Sequence, residues 1–281
     1  MNFDERNIKI KALKKWAFNL RWATLPNDVI PLTAADPDFQ SAHEIADAIH
    51  AYSKDRTFAY GQSEGLESFR QVVATTMQQR RNIQTSKDLI LPVDSAAQGM
   101  FIITKYCLQP NDEAIIFDPV DFLFKKSVEA AGATPILFPI DVQTGKFEIE
   151  YLKTLITPKT KLLCICNPLN PTGKVFTKKE LTELGDVAIE NNLWIMSDEI
   201  WSDIVFPGNV YTSIASISPA LAQRTLTVYG FSKSFGLAGL RVGFIISPNE
   251  MVHEGIVETS MVRTTAYGVS TLSQIAAQTA Y

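Results

Sequence analysis

The chain has 281 residues, 46% of them hydrophobic, so it can bury a large core as one α/β domain or two unequal ones. Its mild net charge of −4 excludes charge-driven disorder and the basic stripe of a nucleic-acid binder, and no apolar run approaches the roughly 18 residues of a membrane span. The opening MNFDERNIKIKALKKW lacks a secretory signal's apolar core, and three cysteines make no disulfide framework, so a reducing cytoplasm is expected.

The first helix signal is Ser41-Ala-His-Glu44, which reads as a capping box. Leu66, Phe69, Val73 and Met77 repeat at helical spacing after Ser63 and predict a second helix. Short apolar runs then predict strands at Leu89–Val93, Ala114–Phe117, Thr134–Phe138 and Leu162–Cys166. In the last of these, Cys164 and Cys166 alternate onto one face and read as core packing. Thr177-Lys-Lys-Glu180 is a second capping-box signal. Further strands are predicted at Trp194–Ser197, Thr225–Tyr229 and Val242–Ile246. A last helix opens at Thr271 with Ser270 as its cap and runs to Tyr281 without a stop signal, as though the chain were cut short.

Strands alternating with helices predict an α/β fold, three-layer α/β/α around a mostly parallel seven-stranded sheet. Ligands of such sheets sit beyond the carboxyl ends of the strands. Four polar clusters fall there: Ser95-Ala96-Ala97, Asn167-Pro-Leu-Asn-Pro-Thr-Gly173, Asp198 and Ser232-Lys233. They are expected to converge on one crevice. His43, His50 and His253 lack ligand spacing, so no metal role is expected. The paired lysines at 14–15, 125–126 and 178–179 read as solvated faces, and Gly236, Gly239 and Gly243 do not follow the dinucleotide fingerprint.

From about Val29 to the end, the chain resembles the aminotransferase class I/II family of fold-type I pyridoxal-phosphate (PLP) enzymes. The anchors are Asn167–Gly173, Ser197-Asp-Glu-Ile200 and the run FSKSFGLAGLRVG over 231–243, in the family's order. The resemblance implies that Lys233 condenses with the cofactor aldehyde and then shuttles a proton at the substrate α-carbon. Asp198 resembles the carboxylate that pairs with the pyridine nitrogen, and Asn170 the side chain that bonds the phenolic oxygen. Arg241, eight residues after Lys233, matches the phosphate-binding arginine. Ala96 and Ala97 match the small residues whose amides open a helix beneath the phosphate, and Ser232 belongs to the same cofactor shell. Tyr60 matches a tyrosine that crosses to the phosphate of the neighbouring subunit, which implies a two-fold homodimer. Each residue also has a local alternative: a surface lysine, an N-cap aspartate, a turn asparagine, a core tyrosine.

Some positions depart from the pattern. Trp201 stands where a tyrosine commonly donates to the phenolic oxygen, and Gly230 where a hydroxyl residue often touches the phosphate. Asp121 occupies the place of the ring-stacking aromatic, so Phe122 is named as the stacking ring. Ala35, in Ala34-Ala-Asp-Pro-Asp-Phe39, replaces a more usual glycine on the substrate side. The arginine that clamps the substrate carboxylate in the family has no counterpart. The implied organisation is an N-terminal arm and part of a small domain over 1–45 and a large PLP-binding domain over 46–281, with the C-terminal part of the small domain absent. The implied activity is transfer of an amino group between an amino acid and a 2-oxo acid. Two alternatives stand beside it: C–S β-lysis of cystathionine- or cysteine-type substrates, to which the Ala35 loop and SDEIWSDIVF lean, and a truncated chain that binds PLP without full activity. Neither a nucleic-acid nor a membrane partner is expected.

Overall fold

The structure, a computed structural model, describes residues 8–281; the first seven residues of the arm expected over 1–45 lie outside it. Seven strands form one sheet: β1 (Ile90–Val93), β2 (Glu113–Asp118), β3 (Thr134–Pro139), β4 (Thr160–Cys166), β5 (Trp194–Asp198), β6 (Thr225–Gly230) and β7 (Gly243–Ile246). Each coincides with a predicted strand, with ends shifted by one or two residues. The sheet order is β1-β7-β6-β5-β4-β2-β3. Strands β3, β2, β4, β5 and β6 are parallel, and β7 runs antiparallel to both β6 and β1.

Register explains why the polar clusters meet. Val93 at the end of β1 pairs with Gly243 at the start of β7, and Gly243 pairs with Gly230 at the end of β6. Further along the same crest, Asp198 at the end of β5 pairs with Val228 and with Cys166 at the end of β4. Because β7 is reversed, its first residue lies level with the last residues of its neighbours.

Ten helices are described: α1 (Ile10–Trp16), α2 (His43–Ser53), α3 (Glu67–Arg81), α4 (Ala96–Cys107), α5 (Phe122–Ala130), α6 (Ile149–Leu155), α7 (Lys178–Glu190), α8 (Pro219–Ala222), α9 (Glu250–Ser260) and α10 (Thr271–Ala280). On β6 and β7 the side chains divide between the two faces of the sheet. Val228 and Ile245 join a core that includes Met100 and Ile103 of α4. Tyr229, Phe244 and Ile246 join a second core with Phe69 and Val73 of α3 and Ala276 and Ala277 of α10. Cys164 and Cys166 are buried in the first core. Gly99 lets α4 lie close on the sheet: a Cβ there would stand 2.5 Å from Val228 Cγ2, closer than packed atoms approach.

The start signals fared unequally. Thr177 and Glu180 form the complete capping box of α7. The box at Ser41–Glu44 does not form; α2 starts from Ala42 without a side-chain cap, and the Ser41 hydroxyl donates instead to the Phe235 carbonyl at 3.0 Å. Ser270 holds the N-cap position of α10, but its side chain makes no cap bond. His253 is buried, with its Nδ1 3.2 Å from the Ser247 hydroxyl. No described helix is long and apolar enough to cross a membrane.

Candidate active site

A cavity of about 790 Å³ opens above the carboxyl ends of the strands. Lys233, Asp198, Asn170 and Arg241 all line it. So do Ala96, Ala97, Trp201, Ser232 and Ala35. All four strand-end clusters therefore contribute to one crevice.

Asp198 is the buried acid of the cavity. Its carboxylate accepts from the Ile200 amide at 3.0 Å, and its carbonyl from the Asn167 amide at 3.0 Å. Burial pushes its carboxyl up to about 7; Asp121 and Glu199 push the same way, while the Ile200 amide and Lys233 oppose them. A buried carboxylate whose one side-chain bond comes from a backbone amide suits a cationic N–H brought to it. Lys233 reaches in from the loop after β6. Its Nζ lies 3.5 Å from the Ala35 carbonyl and 5.3 Å from the centre of the Trp201 ring. Ala34 and Ala35 both have positive φ, 57° and 43°, the backbone that glycine adopts most easily.

One end of the cavity is built by α4. Ser95 caps this helix by accepting from the Gln98 amide at 3.1 Å, leaving the Ala96 and Ala97 amides outside the helical ladder. Those amides and the helix dipole favour an anion in the cavity. Arg241, in a left-handed conformation at φ 51°, brings a half-exposed guanidinium to the same rim, 3.9 Å from Asp94. Gly243 and Gly230 make room: a Cβ on either would stand 3.2 or 3.3 Å from the Ala96 amide nitrogen.

Two named residues lie elsewhere. Phe122 opens α5 and is 70% exposed, outside the cavity lining. Asp121 lines the cavity instead, because its side chain caps α5 from within the crevice and the ring that follows points away. Tyr60 is 86% exposed and lines a second cavity with Phe58, Arg263 and Tyr267. Among the lining residues that sequence reasoning missed are Asp121 and Cys166. Asp121 appeared there only as a missing aromatic, and Cys166 only as core; burial holds the Cys166 thiol well above its ordinary range. Among the described residues no group of three or more His, Cys, Asp or Glu could hold a metal ion.

A family profile described as aminotransferase class I and II matches residues 27–281. The aspartate aminotransferase of Bacillus subtilis (strain 168) is 32% identical over 228 residues, which cover 80% of this chain and 58% of that protein. The aspartate aminotransferase of Pyrococcus abyssi is 33% identical over 231 residues, covering 81% and 59%. Among solved structures, the aromatic aminotransferase of Pyrococcus horikoshii OT3 superposes with a TM-score of 0.84 at 30% identity, over 89% of this chain and 67% of that one. Cystalysin of Treponema denticola, solved with pyridoxal 5'-phosphate, gives 0.86 at 26% identity, over 95% and 69%. The chain thus spans about three-fifths of the length of the curated relatives it matches. The sheet order, the crest of polar residues and these likenesses agree: the chain belongs to the aminotransferase class I and II family.

Proposed function

We propose that the cavity binds pyridoxal 5'-phosphate and that the chain serves amino-group transfer between an amino acid and a 2-oxo acid. The observation that carries the reading is the meeting of Lys233 and buried Asp198 on a cavity that also holds Arg241 and the free amides of α4. These residues fit the group: an amine for an aldehyde, an acid for a ring nitrogen, and a guanidinium with unpaired N–H groups for a phosphate. Asn170 and Trp201 would face the phenolic oxygen, and Ser232 would complete the shell. When bound, the cofactor supplies an aldehyde for the amino group and a conjugated ring that withdraws electrons from the α-carbon.

The protein's own part is orientation and proton transfer. Lys233 would hold the cofactor through its amine, and the same amine would be placed to move a proton at the α-carbon of an amino acid brought to the cavity. Asp198 would hold a protonated ring nitrogen, and the α4 amides with Arg241 would hold the phosphate at the far end. The loop at Ala35 lines the cavity and would face the substrate. Transfer is favoured over C–S β-lysis by the relatives, which are named aspartate aminotransferases in Bacillus subtilis and Pyrococcus abyssi.

The wider reading comprises residues 1–45 as the N-terminal arm with part of a small domain, 46–281 as the large domain, and a cytoplasmic setting in keeping with three free cysteines. It also includes a two-fold homodimer in which Tyr60 reaches the partner's phosphate; the exposure of Tyr60 and Phe58 supports this. Adding PLP to the chain is expected to raise a visible absorption band that Lys233→Ala abolishes. An amino acid should bleach the band and a 2-oxo acid restore it. No band in a folded parent chain sinks the reading, while steady release of pyruvate and ammonia from cystathionine without an oxo acid replaces transfer with lysis.

A further inference from the structure

Asp121 is the unexpected member of the cavity, and both of its carboxylate oxygens are in use. Oδ1 accepts from the Leu123 amide at 2.9 Å and caps α5. Oδ2 accepts from Asn170 Nδ2 at 2.8 Å. The second bond joins the loops after β2 and β4, neighbouring strands of the sheet, and both side chains line the cavity that holds Lys233 and Asp198. An N-cap needs only one oxygen, and serine or asparagine would serve as well. The other oxygen therefore has a separate job. A side-chain amide has a donor end and an acceptor end, and it turns to match whatever faces it. A carboxylate only accepts, so it commits the donor end of Asn170 to one direction. Asp121 also acts on the acid across the cavity, since its charge adds to the upward push on the Asp198 carboxyl.

We propose that Asp121 is a positioning residue of the ligand cavity: acting through Asn170, it fixes the direction of the amide presented to the ring of the bound cofactor. This rests on the PLP reading above. It assigns the place of a stacking ring to a polar clamp, so that ring orientation is set at the edge by a directed amide.

The test uses the full chain with PLP as the probe. Asp121→Asn still caps α5, because Asn and Asp are equivalent caps. However, its own amide donor faces Asn170 and forces that side chain to turn over. Asp121→Ser keeps a capping oxygen and removes the second one. Both variants are expected to bind PLP about tenfold more weakly than the parent, the loss of one charge-assisted hydrogen bond. Their visible band should titrate at a different pH, and their ligand-free melting temperature should fall by no more than a few degrees. In an Asn170→Ala background, Asp121→Asn should cost far less PLP affinity than it does in the parent. Unchanged affinity and band titration, an additive loss in that background, or lower ligand-free stability with normal affinity would each overturn the proposal and leave Asp121 a plain helix cap. A parent chain without a band overturns the cofactor reading, and the clamp falls with it.

Discussion

Asp198 shows how one residue's surroundings set its chemistry. The folded chain keeps the Asp198 proton up to about pH 7, whereas an ordinary aspartate releases it near 3.8. The native state therefore holds more protons across that window, and this group makes stability fall as pH rises through it. Above about pH 7 the buried charge costs at most about 4 kcal/mol. Asp198→Asn is expected to melt higher than the parent at pH 8 without cofactor, with the gap closing as pH falls towards 4. An equal difference at both ends would show that the carboxylate is not under strain from burial. Legibility at this scale was uneven. Lys233, Asp198 and Asn170 were expected on one crevice because each follows an apolar strand, whereas Arg241 was expected there only through the family resemblance of its run. The direction of Phe122 was hidden, because it depends on Asp121 turning inward to cap α5 and meet Asn170, 49 residues away.

Among the elements, local signals succeeded where the interacting groups are sequence neighbours. The Thr177–Glu180 box closes within one turn, with the Glu180 carboxylate also paired to Lys174 at 2.7 Å. Thr177→Ala is expected to cost about 1 kcal/mol, lowering the melting temperature by roughly 2–4 °C. A change below half a degree would mean that α7 is held by packing alone. Ser41 offered the same pattern and failed because its hydroxyl is taken by a carbonyl 194 residues away. That contact ties the segment before α2 to the loop carrying Lys233, so the lost cap became a tertiary tether. The strands were legible because a sheet covered on both faces requires largely apolar segments, and β4 to β6 are buried almost throughout.

For the whole molecule, the features that lie on its outside follow a different logic from the crevice. Leu32, Tyr60 and Phe58 are 93%, 86% and 67% exposed, more than single apolar residues on a folded surface require when gathered on arm and loop. With a second copy covering the Tyr60 region, the chain should sediment as a dimer at micromolar concentration, and Tyr60→Ala should weaken both dimer and PLP affinity. A monomer that binds PLP fully would remove Tyr60 from the cofactor's surroundings.

The reversed strand β7 has one further effect. Were it parallel to β6, the chain would have to cross a face of the sheet before reaching Arg241, which would then emerge at the floor of the molecule. Reversal lets a single short span leave β6, deliver Lys233, turn at the glycines and set down Arg241 before re-entering the sheet at Gly243. The stretch therefore spaces an amine and a guanidinium along one rim of the same cavity, a spacing that a parallel strand could not give.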